Sequence, residues 1–214
     1  HEEPGFRPRV WRMVWNGHDQ LIGIETPDGA HWRYGYDPFG RRITRQSDGG
    51  ESYAMQWEGD RQIAEAPMTA DGTVAWQDAR HWVYEGAGFR PLAQIQGETL
   101  HYIVTDHLGT PRELLSEDGE TVAWRAELTL WGDMAELRLP RRAANDDSPP
   151  TDCPIRFQGQ WHDAESGLHY NRLRYYDPDA TQYLSPDPIG INGGTRPQAY
   201  VDDPNASVDP LGLA

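Results

Sequence analysis

Leu21 to Asp37 reads LIGIETPDGAHWRYGYD: a strand-like run, a Thr-Pro-Asp-Gly turn, then a second, alternating run. Residues that alternate in polarity along an extended chain send successive side chains to opposite faces. Asp28-Gly29 between the runs is a strong hairpin signal, because glycine takes positive φ at no steric cost. The grammar repeats from Trp11 to about Trp131, in YAMQWEGDRQIAEAP, MTADGTVAWQD, HWVYEGAGFRPLAQIQGETLHYIVTD and ELLSEDGETVAWRAEL. Further turn pairs stand at Asp71-Gly72 and Asp118-Gly119. Such spacing predicts a repeated antiparallel meander and an all-β fold. Only TVAWRAELTLWGDMAELRLPRRAAN offers helix-forming stretches, and its β-branched and aromatic start favours strand.

Composition agrees with this. The 214 residues are enough to bury a core, and their 9 Trp and 10 Tyr against 4 Phe suit pleated, half-buried surfaces. The 22 Gly and 17 Pro are spread along the chain, as many tight turns require. LPRRAANDDSPPTDCP has no periodicity and reads as a loop, dividing the chain into a hairpin array (1–138), a linker (139–153) and a C-terminal segment (154–214).

With 34 acidic against 19 basic side chains, the net charge of −15 repels phosphate and anionic lipid, which argues against direct nucleic-acid or membrane binding by this segment. No run of about 18 apolar residues is present. The lone Cys153 lacks companions for a disulfide or a zinc site and reads as an incidental residue before Pro154. The start, HEEPGFRPRVW, has no apolar signal region and reads like the middle of a longer protein.

Tyr36 to Arg42 spells YDPFGRR, which resembles the YD-repeat unit of the RHS family. In the same order follow TDHLGTPR (Thr105 to Arg112), FQGQWHDAESGLHYNRLRYYDP (Phe157 to Pro178), YLSPDPIG (Tyr183 to Gly190) and DPNASVDPLGL (Asp203 to Leu213). The last resembles the family's DPxGL boundary signature, and the match runs collinearly from about Trp11 to Leu213.

This resemblance implies β-ribbons that spiral into a hollow shell, with an irregular C-terminal plug turning inward and this chain as the closing portion. It implies a toxin enclosed by the shell and an aspartic protease, internal to it, that cuts after the DPxGL leucine. The scissile bond is then Leu213–Ala214. The implied partners are the rest of the shell and the toxin from the same precursor, with a secretion spike protein or a chaperone as further candidates. The implied route leads from the bacterial cytoplasm, by type VI secretion or as part of a toxin complex, into a target cell.

Amide hydrolysis by carboxylates needs two of them with separate acid and base roles. Asp187-Pro188 and Asp209-Pro210 supply the candidates, since proline restricts each aspartate to extended or turn geometry. The stretch Ile189 to Gly194, IGINGG, lets the chain double back and bring them together. Asp-Pro is also an ordinary turn starter, present at Asp37, Asp177 and Asp203; Asp202 and Asp203 are alternative partners. The family carries Gly-Arg shortly before its Ser-Pro-Asp stretch, where this chain has Ala180-Thr181-Gln182. Gln182 donates a hydrogen bond without charge, leaving Arg172, Arg174 and Arg196 as possible substitutes.

Other features read as structural. His107 is a turn histidine, and His162, Asp163, Glu165 and His169 match no tight metal spacing, so no metal or cofactor is expected. Tyr170, Tyr175, Tyr176 and Tyr183 suit sheet packing, with a sugar-stacking platform as the alternative. Two further functions compete with self-cleavage: a passive shell end-piece and a glycan-binding adhesion module.

Overall fold

The computed structural model describes residues 10–140 and 151–213. Twelve strands follow one another in a single antiparallel sheet whose spatial order is the chain order. They are β1 (Arg12–Trp15), β2 (Leu21–Glu25), β3 (His31–Tyr36), β4 (Arg42–Ser47), β5 (Ser52–Glu58), β6 (Arg61–Pro67), β7 (Arg80–Tyr84), β8 (Pro91–Gln96), β9 (Thr99–Thr105), β10 (Pro111–Ser116), β11 (Val122–Leu128) and β12 (Met134–Arg138). The helix-friendly stretch after Thr121 is therefore strand, turn, strand. Among the described residues the only helical elements are 3₁₀ turns at Trp76–Asp78 and Gly190–Gly193.

The turns explain the register. Thr26, Asp37, Thr69, Asp106 and Thr129 each open a three-residue loop closed by a glycine at positive φ, at Gly29, Gly40, Gly72, Gly109 and Gly132. This is the type I turn plus left-handed residue that matches strand twist. Asp28-Gly29 and Asp118-Gly119 join paired strands as expected. Asp71-Gly72 differs: it closes only a bridge between Met68 and Val74, and the chain then forms the 3₁₀ turn instead of extending a strand.

Alternation places Trp32 and Tyr34 of β3 inward and His31 and Arg33 outward. The C-terminal segment covers that inward face. It is less irregular than expected, with a second antiparallel sheet of β13 (Trp161–His162), β14 (His169–Asn171), β15 (Arg174–Asp177) and β16 (Gln182–Tyr183). Leu21, Ile24, Trp82, Leu114 and Trp124 from the first sheet share one core with Ile155, Trp161, Leu168 and Tyr175 from the C-terminal segment. Trp82 and Trp161 meet edge to face, with ring centroids 4.6 Å apart. Apolar burial of this size holds the two sheets together.

A buried ion pair crosses the same seam. The Arg42 guanidinium, from YDPFGRR, donates through both terminal nitrogens to Asp163, with Nη2 2.8 Å from Oδ1, and it lies over the Tyr170 ring. Asp163 is thus committed to arginine. Cys153 is no incidental loop residue: it is fully buried in this core, and burial pushes its thiol up to about 12.

Candidate active site

Asp187 and Asp209 are held by one local device. In Asp37-Pro38-Phe39-Gly40, Asp37 Oδ1 accepts the amides of Phe39 and Arg41. In Asp187-Pro188-Ile189-Gly190, Asp187 Oδ1 accepts the Ile189 amide at 2.9 Å, and the Gly190 amide donates to the Asp187 carbonyl. In Asp209-Pro210-Leu211-Gly212, Asp209 Oδ1 accepts the Leu213 amide at 2.8 Å. Each turn satisfies its own backbone through the aspartate. The difference lies in the other carboxylate oxygen. Asp37 Oδ2 takes its own neighbour Arg41, whereas Asp187 and Asp209, 8% and 4% exposed, turn theirs inward to one shared cation.

That cation is Arg174, which opens β15 and has a fully buried side chain. Its Nη2 lies 3.0 Å from Asp187 Oδ2 and 3.5 Å from Asp209 Oδ2. Its Nε donates to the Gly212 carbonyl at 2.6 Å and its Nη1 to the Pro197 carbonyl at 3.1 Å, so the guanidinium is fixed at three corners. Asp187 Oδ2 has this ion-pair contact but no aligned hydrogen bond. Tyr183, from β16, lies under the guanidinium, 3.7 Å from ring centre to Cζ, and donates from Oη to Asp209 Oδ2 at 2.8 Å.

The chain around the last turn is pinned on the β14–β15 hairpin. Leu173 donates its amide to the Leu211 carbonyl, and Asn171 Nδ2 donates to the Asp209 carbonyl at 2.8 Å. Gly212, at φ +71°, sits so near the hairpin that a Cβ would approach the Asn171 carbonyl to 2.8 Å. The IGINGG stretch does double back, and the Asp187 amide donates to the Pro197 carbonyl. Gly193 then lies against the pair: a Cβ there would sit 2.2 Å from Asp187 Oδ2 and 3.0 Å from the Leu213 carbonyl oxygen. The Leu213 carbonyl and a buried carboxylate oxygen therefore face the same small space.

Asp187, Asp209, Arg174 and Leu213 come together here. The remaining candidates do not. Arg172 reaches the other way, to Asp60 and the Phe39 carbonyl. Gln182 is exposed, opposite Asp177 in the sheet. Arg196 and Asp202 pair in solvent, and exposed Asp203 caps the Asn205 amide. Ala214 lies outside the described residues. Sequence reasoning missed Asn171 and Tyr200, whose Oη accepts the Asp209 amide, and took Gly193 only as part of the doubling-back stretch. It weighed Tyr183 only as an aromatic, although the adjacent Leu184-Ser185-Pro186-Asp187 marked its neighbourhood. All four weighed tyrosines are 0–2% exposed, which leaves no face for stacking a sugar. Exposed His107 bonds the Asn205 carbonyl, and His169 bonds Gln160. Among the described residues no group of His, Cys, Asp or Glu could hold a metal ion, and no helix is long and apolar enough to cross a membrane.

A long antiparallel meander whose short turns close on glycines, with a smaller terminal sheet packed on its inward face, defines a protein of the YD-repeat class. The RHS Repeat family matches residues 15–52 and the RHS protein family residues 100–138. The chain belongs to the RHS family. It is 42% identical to the probable deoxyribonuclease RhsB of Dickeya dadantii over 99% of its own length and 14% of that protein's. It is 34% identical to the toxin protein Tse5 of Pseudomonas aeruginosa (94% and 17%), and 32% identical to the double-stranded DNA deaminase toxin A of Burkholderia cenocepacia (95% and 15%). The chain thus spans about a sixth or less of these relatives. Among solved structures, TcdB2–TccC3 without its hypervariable C-terminal region superposes with a TM-score of 0.71 at 20% identity, over 95% of this chain and 10% of that one. At that identity the likeness speaks to fold alone.

Proposed function

We propose that this segment is the closing end of a toxin-enclosing shell and cuts its own backbone after Leu213, using Asp187 and Asp209, to free a C-terminal toxin. One observation carries the reading: two buried carboxylates, distant in sequence, share one guanidinium nitrogen beside the Leu213 carbonyl. In the proposed division, residues 1–138 are shell ribbon, 139–153 a linker, and 154–214 the plug carrying the site. Relatives whose names give unlike activities, a deoxyribonuclease and a DNA deaminase, match nearly this whole segment. That supports a common case around a changing cargo. The proposed route is from the bacterial cytoplasm into a target cell, with a secretion spike protein or chaperone as accessory partner and no role for nucleic acid or membrane in this segment.

In the reaction, water adds to the Leu213 carbonyl carbon and gives a proton to Asp209. Asp187, from Oδ2, protonates the carbonyl oxygen. As the diol collapses and the Leu213–Ala214 bond breaks, Asp209 passes its proton to the Ala214 nitrogen and a diol hydroxyl returns one to Asp187, leaving a Leu213 carboxyl group and a free amine. Arg174 keeps the two carboxylates in register and balances their charge. Each precursor molecule turns over once.

The intact mass of a precursor extending beyond Ala214 tests this. A cut between Leu213 and Ala214 is expected, and Asp187→Asn or Asp209→Asn should slow it by at least about a hundredfold. A parent left whole at every pH, or two variants cut as fast as the parent, would leave a passive end-piece.

A further inference from the structure

Asn171 and Tyr183 form a hydrogen-bonded chain that ends on Asp209, and its direction can be deduced. The Asp209 carbonyl only accepts, so the Asn171 atom 2.8 Å from it must be the amide nitrogen. The same nitrogen stands 2.6 Å from Tyr183 Oη and donates its second hydrogen there. The phenol's own hydrogen is left with one destination, Asp209 Oδ2 at 2.8 Å. Asn171 and Tyr183 are 0% exposed, so water does not compete for these bonds. The phenol keeps its proton across any working pH, since burial, with the Asp209 charge beside it, pushes it well above the ordinary tyrosine value.

We infer that Tyr183, oriented by Asn171, is the positioning residue that holds the Asp209 carboxylate beside Arg174 by donating to its Oδ2. The inference rests on the self-cleavage reading and adds a positioning role to it. A phenol donating to a carboxylate oxygen favours its charged form, and Asp209 Oδ2 has that donor, whereas Asp187 Oδ2 has the guanidinium contact at 3.0 Å. Among the described residues the charged and titratable groups facing Asp209 are Arg174 from β15, Asp187 across that guanidinium, Tyr183 from β16, and Tyr200 at its amide. Among the described residues, Tyr183 is the side chain that donates a neutral hydrogen bond to this carboxylate, and phenylalanine can replace it without losing the ring under Arg174.

The test is the pH profile of precursor cleavage during cell-free synthesis, from about pH 5 to about pH 9, for the parent, Tyr183→Phe and Asn171→Leu. Tyr183→Phe should move the acid limb to higher pH by roughly one unit, slowing cleavage about tenfold at the acid end while approaching the parent rate on the plateau. Asn171→Leu, which frees the phenol to rotate, should shift the limb the same way by less, and it carries the test alone if Tyr183→Phe does not fold. A Tyr183→Phe profile that overlies the parent's, or that drops by one factor at every pH, overturns the inference. Asp187→Asn is run beside them: if it is cut normally, the self-cleavage reading itself fails, whatever Tyr183 does.

Discussion

Gly193 shows how much of the site depends on a missing atom. Its backbone lies outside the left-handed region, so alanine meets no conformational penalty there, unlike at Gly190 or Gly212. A methyl group would nevertheless lie 2.2 Å from Asp187 Oδ2 and 3.0 Å from the Leu213 carbonyl oxygen. One of them must move, and both take part in the proposed reaction. Gly193→Ala is therefore expected to cost about 1–3 kcal/mol of stability and to slow cleavage tenfold or more. Intact-mass time courses beside a melting curve check this, and cleavage at the parent rate would remove Gly193 from the site.

At the scale of elements, the Asp-x-x-Gly turn is the recurring part. Asp106 repeats what Asp37 does: Oδ1 accepts the amides of Leu108 and Thr110, and Oδ2 receives the Arg112 guanidinium. Asp37→Ala removes three such bonds to Phe39 and Arg41 and should cost about 1–2 kcal/mol, while Asp37→Asn, keeping an acceptor, should cost less. Equilibrium denaturation measures both, and equal losses would show that the Arg41 pairing, not the turn, matters. These elements were legible because each turn carries its own glycine and acceptor within five residues. The second sheet was harder to see: β13 and β16 are two residues each and take their strand geometry from packing on the ribbon. The site was legible in part for the same reason. Asp-Pro marks five positions equally, and only the folding of the Gly190–Gly193 turn and the β14–β15 hairpin decides which two are buried on Arg174. Arg174 itself looks, in sequence, no different from Arg172 two residues earlier, yet a strand reverses there and sends them to opposite neighbours.

For the whole molecule, the C-terminal sheet buries polar groups that stay neutral only while it stays folded. His162 and His169 face each other across β13 and β14, with ring centroids 5.6 Å apart. Burial, and then the nearby Arg156 charge, depresses His162 to about 4; burial, Arg156 and His162 push His169 well below its usual value. The unfolded chain takes up these protons near 6.5, whereas the folded chain refuses them until far lower. Their contribution to stability is thus complete above pH 6.5 and is lost as pH falls toward 4. For His162 alone the loss is on the order of 3 kcal/mol at the bottom of that window. Denaturation midpoints, followed by fluorescence of the buried tryptophans, should fall between pH 7 and about pH 4.5, above the range where most carboxylates protonate. His162→Gln, which cannot charge, should remove part of that fall. A parent as stable at the lower pH as at the higher, or a variant that loses as much as the parent, would mean that these histidines do not set the acid limit of the fold.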